Sequence, residues 1–379
     1  NETRLEVADA VPYMATGQVV MVPKGNPTGI KAPTDLCGKT VAFQSAGDFG
    51  LHTPSVAVAA AALACLASAS RAADLVLPSE VAATHWKTRY MNDFAAEVKK
   101  RTGGAVNVKV FPAGQLYNDQ DALAALGTGS VHMVWPVAVR LETIDPRTGA
   151  MNLPFAISDD QMQNQCFNKG ITQLMSSYVE PRNLKVLGFL RTSDLMFTFR
   201  DRDVKKMEDL KGTKVRVTGG KVFLDVMRSL GTSPVSMAAS EMSTALSQGA
   251  IDGVFTSPAG WAEMIGMTAK YAWYVPGMSV ATYAVVVDKG WLEGLPAQHR
   301  AAVTDVMAEI AKRQWNEAIE EDKKMISKMT AQGAVYRIAD KAEIARWRAQ
   351  AAPVTKSFTE KYADVAKKMA DLAKTCNAN

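Results

Sequence analysis

The sequence predicts an α/β protein, and three features carry that expectation. Short runs with apolar residues at every second position alternate with longer runs whose apolar residues recur every three or four positions. These periods mark half-buried strands and amphipathic helices. Glycine, proline and asparagine punctuate the boundaries, and beyond Val287 the chain turns to sustained helix. Strands alternating with helices imply a largely parallel sheet. At 379 residues, 47% hydrophobic and 21% charged, the chain is globular and holds two or three domains.

Leu75 to Leu77 is a short apolar strand. Trp86, Tyr90, Phe94 and Val98 form a helix stripe, ended by Gly103 and Gly104. Val106, Val108 and Val110 alternate as a strand, Asn118 caps a helix running to Leu126, and Val131 to Val134 is a further strand. Leu184 to Leu190 and Thr213 to Val217 are strands, with a helix over Val222–Leu230 closed by Gly231 and a strand near Pro234–Met237. A long helix spans Pro296 to Met329, and Glu343 to Lys374 is helical with an interruption expected at Pro353. The apolar spacing of the long helix is not a heptad, so it braces a globular body and does not form a coiled coil.

The most informative stretch is Lys211 to Arg216, followed by Asp252-Gly253. Val215 and Val217 face one side of its strand, Lys214 and Arg216 the other. Arg216 stands near the carboxyl end of the strand, just before a helix N-terminus. In open α/β sheets that edge takes ligands, and both the arginine and the helix dipole favour an anion. A guanidinium matches a carboxylate with two parallel hydrogen bonds. The competing reading is a surface arginine in a salt bridge.

Net charge is +5, and all the excess lies after residue 72. The charges are scattered, which argues against nucleic acid and is compatible with small anions. Four histidines (His52, His85, His132, His299) lie far apart, and no metal, nucleophile or phosphate-loop motif is present. No cofactor is expected, and an enzyme is the remotest reading. Cys166 and Cys376 can pair in an oxidising compartment, but their spacing fixes no geometry.

Val56 to Ala69 is an unbroken run of small and apolar residues, followed by Ser70-Arg71-Ala72. It reads as the core and cleavage site of a secretory leader over residues 55–72, with a buried alanine-rich helix as the alternative. Residues 1–54 differ in character. Tyr13 to Pro27 and Asp35 to Ala42 resemble an internal fragment of an amino-acid-type ABC-transporter solute-binding protein, which implies two or three strands and a junction near Gly50.

From Ala73 onward the motifs resemble the substrate-binding proteins of TRAP transporters, the DctP family. Asp209 to Arg216 matches that family's DLKGxKxR pattern. Phe111-Pro-Ala-Gly-Gln-Leu116, Leu153-Pro-Phe155, Leu230 to Val235 and Gly249 to Gly253 match in order. The resemblance implies a two-lobed, periplasmic-binding-protein-like fold with hinge strands and a long bracing helix. Lobe I would be residues 73–195 plus 283–321 and lobe II residues 196–282 plus 322–379, with crossings near Leu195 and Thr282. It implies a periplasmic monomer that captures an organic acid and passes it to TRAP membrane subunits. An ABC-type receptor and an extracytoplasmic sensor are the alternatives.

By the same resemblance Arg216 is the carboxylate clamp, and Arg191 is a second candidate. Where many relatives carry QENP this chain has Thr256 and Ser257, whose hydroxyls can replace an amide, with Trp261 as an aromatic wall. His85 and Trp86 follow the first strand, Trp135 follows another, and Phe155 lies in the Leu-Pro-Phe motif; each is a candidate lining residue with core packing as the alternative. Asp252-Gly253 reads as a structural turn, and Asp225 and Glu241 as solvated helix residues.

Overall fold

A computed structural model describes residues 73–378 and, in the N-terminal region, two strands. The chain divides into two compact units, Asn1–Ala72 and Ala73–Asn379. In the first unit, β1 (Ala8–Pro12) and β2 (Val19–Pro23) pair antiparallel. The leader-like segment lies outside the described residues.

The second unit opens with β3 (Ala73–Pro78), α1 (Trp86–Arg101) and β4 (Val106–Phe111), a crossover that leaves β3 and β4 parallel. The α1 stripe of Trp86, Tyr90, Phe94 and Val98 is buried as its spacing requires. Asn118 caps α2 (Asp119–Ala125), its side chain accepting from the backbone N–H groups of Gln120 and Asp121. A short β5 (Met133–Val134) follows, then α3 (Asp159–Gln163) and α4 (Gln165–Val179). β6 (Leu184–Asp194) runs almost directly into β7 (Met196–Phe199), with only Leu195 between them.

Next come β8 (Lys214–Val217), α5 (Lys221–Ser229), β9 (Ser233–Ser236), α6 (Met242–Ser247), β10 (Gly253–Thr256) and β11 (Tyr271–Tyr274). The chain then enters β12 (Val280–Asp288), α7 (Lys289–Gly294) and the 35-residue α8 (Ala297–Ala331). β13 (Val335–Ile338), α9 (Lys341–Lys361) and α10 (Ala363–Thr375) complete it.

Besides the β3–β4 pair, two sheets organise the second unit. One is three-stranded, in the order β5-β12-β6; the other is six-stranded, in the order β13-β11-β7-β10-β8-β9. The expectation of a largely parallel arrangement needs correction. β12 is antiparallel to both neighbours, and β7 is antiparallel to β10 and β11. The parallel ladders are β3–β4, β8–β9, β8–β10 and β11–β13. The reason is topological. β6 leads straight into β7, so β7 enters the second sheet by a direct step with no returning helix to reverse it. The helical C-terminal region also differs in detail: α9 runs through Pro353 and ends at Lys361, with Tyr362 as its C-cap.

α8 is the brace. Val303, Met307, Ile310 and Trp315 are buried along it, and Trp315 Nε1 donates to the Phe189 carbonyl in β6. The Gln314 side chain bonds both the N–H and the C=O of Arg191, locking onto the backbone of the same strand. Cys166 and Cys376 form a disulfide, Cα–Cα 5.5 Å, that ties the C-terminus to α4.

Candidate functional site

Arg216 sits in β8 between β9 and β10 and is 2% exposed. Val215 and Val217 fill the core on the other face of the strand, as their alternation requires. The guanidinium donates through Nε and Nη2 to the Met237 carbonyl, at 3.1 and 2.8 Å. Among the described residues no carboxylate lies within ion-pair distance of it. Burial pulls its pKa down to about 10, while the Glu80 carboxylate pushes the other way. A buried cation held only by a carbonyl keeps capacity for an anion.

The cleft around it is lined by Glu80, Val81, His85, Thr192, Thr218, Phe255, Thr256, Ser257, Met264 and Tyr283 among others. These residues come from loops after β3 and β8, from the ends of β6 and β10, from the helical turn Gly260–Ile265 and from β12. The cleft encloses only about 30 Å³ there, room for a water or two. Wider hollows exist, such as one of about 700 Å³ bounded by Lys185, Glu293 and Arg300, but they are open to solvent and have no buried arginine in their walls.

Behind the cleft lies a buried charge cluster. Lys87 Nζ meets Asp119 Oδ2 at 3.0 Å and the Trp135 carbonyl at 3.0 Å. Glu80 and Asp119 exchange backbone-to-carboxylate hydrogen bonds, each 3.2 Å, and Glu80 Oε1 also accepts from the Ala239 N–H at 3.2 Å. Burial raises the Asp119 pKa to about 6 against the pull of Lys87. His85 caps α1, its Nδ1 accepting from the Lys87 N–H at 3.1 Å. Burial holds it neutral, with its pKa lowered to about 3.

The N-terminus of α5, expected to favour the ligand anion, faces a protein carboxylate instead. Glu142 Oε2 accepts from the Lys221 and Val222 N–H groups at 2.6 and 3.2 Å. This joins the segment after β5 to the helix after β8. Gly220 permits the approach: its φ is +80°, and a Cβ there would come within 2.1 Å of a Val139 methyl. Burial raises the Glu142 pKa to about 7.

The sequence matches the DctP family, bacterial extracellular solute-binding protein family 7, over residues 78–361, well over half of the chain. The chain belongs to that family. Among its relatives are the C4-dicarboxylate-binding protein DctB of Bacillus subtilis, 26% identical over 70% of this chain and 77% of that protein, and the C4-dicarboxylate-binding periplasmic protein DctP of Rhodobacter capsulatus, 28% identical over 71% and 81%. In fold it is similar to the sugar acid binding protein DctPAm of Advenella mimigardefordensis, solved with galactonate. That structure has TM-score 0.76 and 18% identity, covering 81% of this chain and 99% of that one. A TRAP periplasmic solute binding protein of Sulfurospirillum deleyianum with bound succinate gives TM-score 0.71 at 21% identity, covering 81% and 99%.

For a solute-binding protein of this family, the placement of the residues singled out in the sequence is instructive. Arg216, His85, Thr256 and Ser257 meet at the cleft. Arg191 does not: it is bound by Asp159 at 2.6 and 3.0 Å and by Asp322 at 2.5 Å, with Asp194 at 4.0 Å. It is a structural ion centre beneath the brace, where a ligand would have to displace a carboxylate already in place. Trp135 and Trp261 are fully buried core residues whose indole N–H groups are satisfied by Met133 and the Ala269 carbonyl. Trp86 packs edge-on against Tyr90 and Tyr283, next to the cleft and behind its wall. Phe155 adopts φ +56° and lies under the Arg348 guanidinium, outside the cleft.

Sequence reasoning missed Glu80, Thr192 and Tyr283. Glu80 lies in the loop that yielded His85, so position just past a strand's carboxyl end was the usable signal. Nothing local marks Thr192 or Tyr283.

Proposed function

We propose that this chain is the solute receptor of a TRAP-type secondary transporter, holding an organic acid by its carboxylate on Arg216. One observation carries the reading: Arg216 is buried at the cleft with no carboxylate partner among the described residues. A desolvated cation is costly unless something charged completes it, and a solute carboxylate would do so when the lobes close. The C4-dicarboxylate-binding relatives support the same class of ligand. Lobe I (residues 73–195 with 283–321) and lobe II (196–282 with 322–379) close by population shift, the ligand favouring the closed form that the membrane subunits recognise. The receptor works as a periplasmic monomer without chemistry on its cargo.

Thermal shift of the purified chain against a panel of organic acids, with Arg216→Ala alongside, tests this. A rise in melting temperature with one acid, lost in the variant, is the expected result. A folded protein that responds to no carboxylate would sink the proposal.

A further inference from the structure

The charges buried at the cleft constrain its cargo more tightly than "organic acid". Five ionisable side chains, all at most 4% exposed, lie at the cleft or behind it: Arg216 and Glu80 line it, Lys87 and Asp119 are paired behind it, and Arg140, beside Gly219, donates to the Gln120 side chain. Three cations and two carboxylates leave one positive charge. The imidazole of His85 adds none. Glu241 is exposed, and Glu142 is spent on the α5 N-terminus. A single carboxylate on the ligand neutralises the group, whereas a second would leave a buried negative charge uncompensated.

The other partners in the cleft are acceptors and hydroxyls. Each oxygen of Glu80 accepts one backbone N–H and keeps a lone pair for another donor. A second ligand carboxylate would be repelled there, while a ligand hydroxyl can donate. Thr192 is the second, independent sign. In the β6–β12 ladder Ala281 pairs with Ser193 and Thr282 with Arg191, so Thr192 is the extra residue of a bulge. Bulges re-aim side chains beside binding sites. The Thr192 hydroxyl is buried, lines the cleft and has no hydrogen-bond partner among the described residues. Thr218, Thr256 and Ser257 add three more hydroxyls to the wall.

We infer that the cleft selects a hydroxylated monocarboxylate over a dicarboxylate: Arg216 takes the carboxylate, and Glu80 with Thr192 takes ligand hydroxyls. This rests on the carboxylate-receptor reading above and narrows it.

The test is calorimetric titration of the full chain with carbon-matched acids, threonate against succinate and gluconate against adipate, and with butanoate as the hydroxyl-free monocarboxylate. The hydroxy acid should bind about 10- to 100-fold more tightly than its dicarboxylate, the span expected for hydrogen bonds to a charged group. Glu80→Gln should narrow or reverse that ratio, and Thr192→Val should weaken the hydroxy acid while leaving butanoate unchanged. A wild-type chain that binds succinate or adipate as tightly as the hydroxy acids overturns the inference and leaves the receptor reading standing. Binding of no acid in either series overturns both. The wild-type ratio decides the matter even where Glu80→Gln does not fold.

Discussion

Two buried arginines, one at the brace and one at the cleft, are nearly equal in exposure and opposite in their partners. Arg191 is 4% exposed and is surrounded by Asp159, Asp194 and Asp322, with Gln314 holding its backbone. Arg216 is 2% exposed and, among the described residues, has only the Met237 carbonyl. Burial alone therefore says nothing about function. What separates the two is the account of their partners: a completed ion cluster is consumed by the fold, and an incomplete one leaves a buried cation that, under the proposed function, a solute carboxylate would complete.

The comparison can be broken by paired substitutions. Arg191→Ala leaves three carboxylates facing one another without their cation and should cost about 3–5 kcal/mol of stability, read by chemical denaturation. Arg216→Ala should cost about 2–5 kcal/mol of ligand affinity with little change in the denaturation midpoint of the free protein. If the two variants exchange these signatures, the partner account is mistaken.

A smaller effect is expected from Glu142. Burial against α5 raises its pKa to about 7. When the lobes part and the carboxyl is solvated, that rise is relieved, so the closed form binds a proton more readily. Its contribution to closure is full below the ordinary carboxylate range and is lost as pH rises through about 7. Ligand affinity should fall several-fold from about pH 5 to about pH 8, and Glu142→Gln should flatten that part of the profile. A profile equally steep in the variant would assign the effect to another group. Smallest is His85→Ala, which removes the α1 cap and should cost about 1 kcal/mol of stability, read by thermal denaturation.

Much of the fold was legible along the chain. The stripe of α1, the Asn118 cap, the alternation of β8 and the length of α8 are set by residues a few positions apart, and local sterics and amphipathicity decide them. Arg216 was legible for the same reason: a strand's carboxyl end next to a helix start is a local pattern. The register and direction of β7, the bulge that frees Thr192 and the company of Arg191 were not. They depend on residues far apart in sequence that meet only when the sheets assemble. Asp322 reaches Arg191 from the brace, and Glu142 reaches the α5 N-terminus that seemed free for a ligand. By itself the sequence determined the family, most of the elements and the place of Arg216 near a strand's carboxyl end. Tertiary structure alone decided which buried charges are already spent, because pairing is a matter of distance in space and leaves no period in the chain.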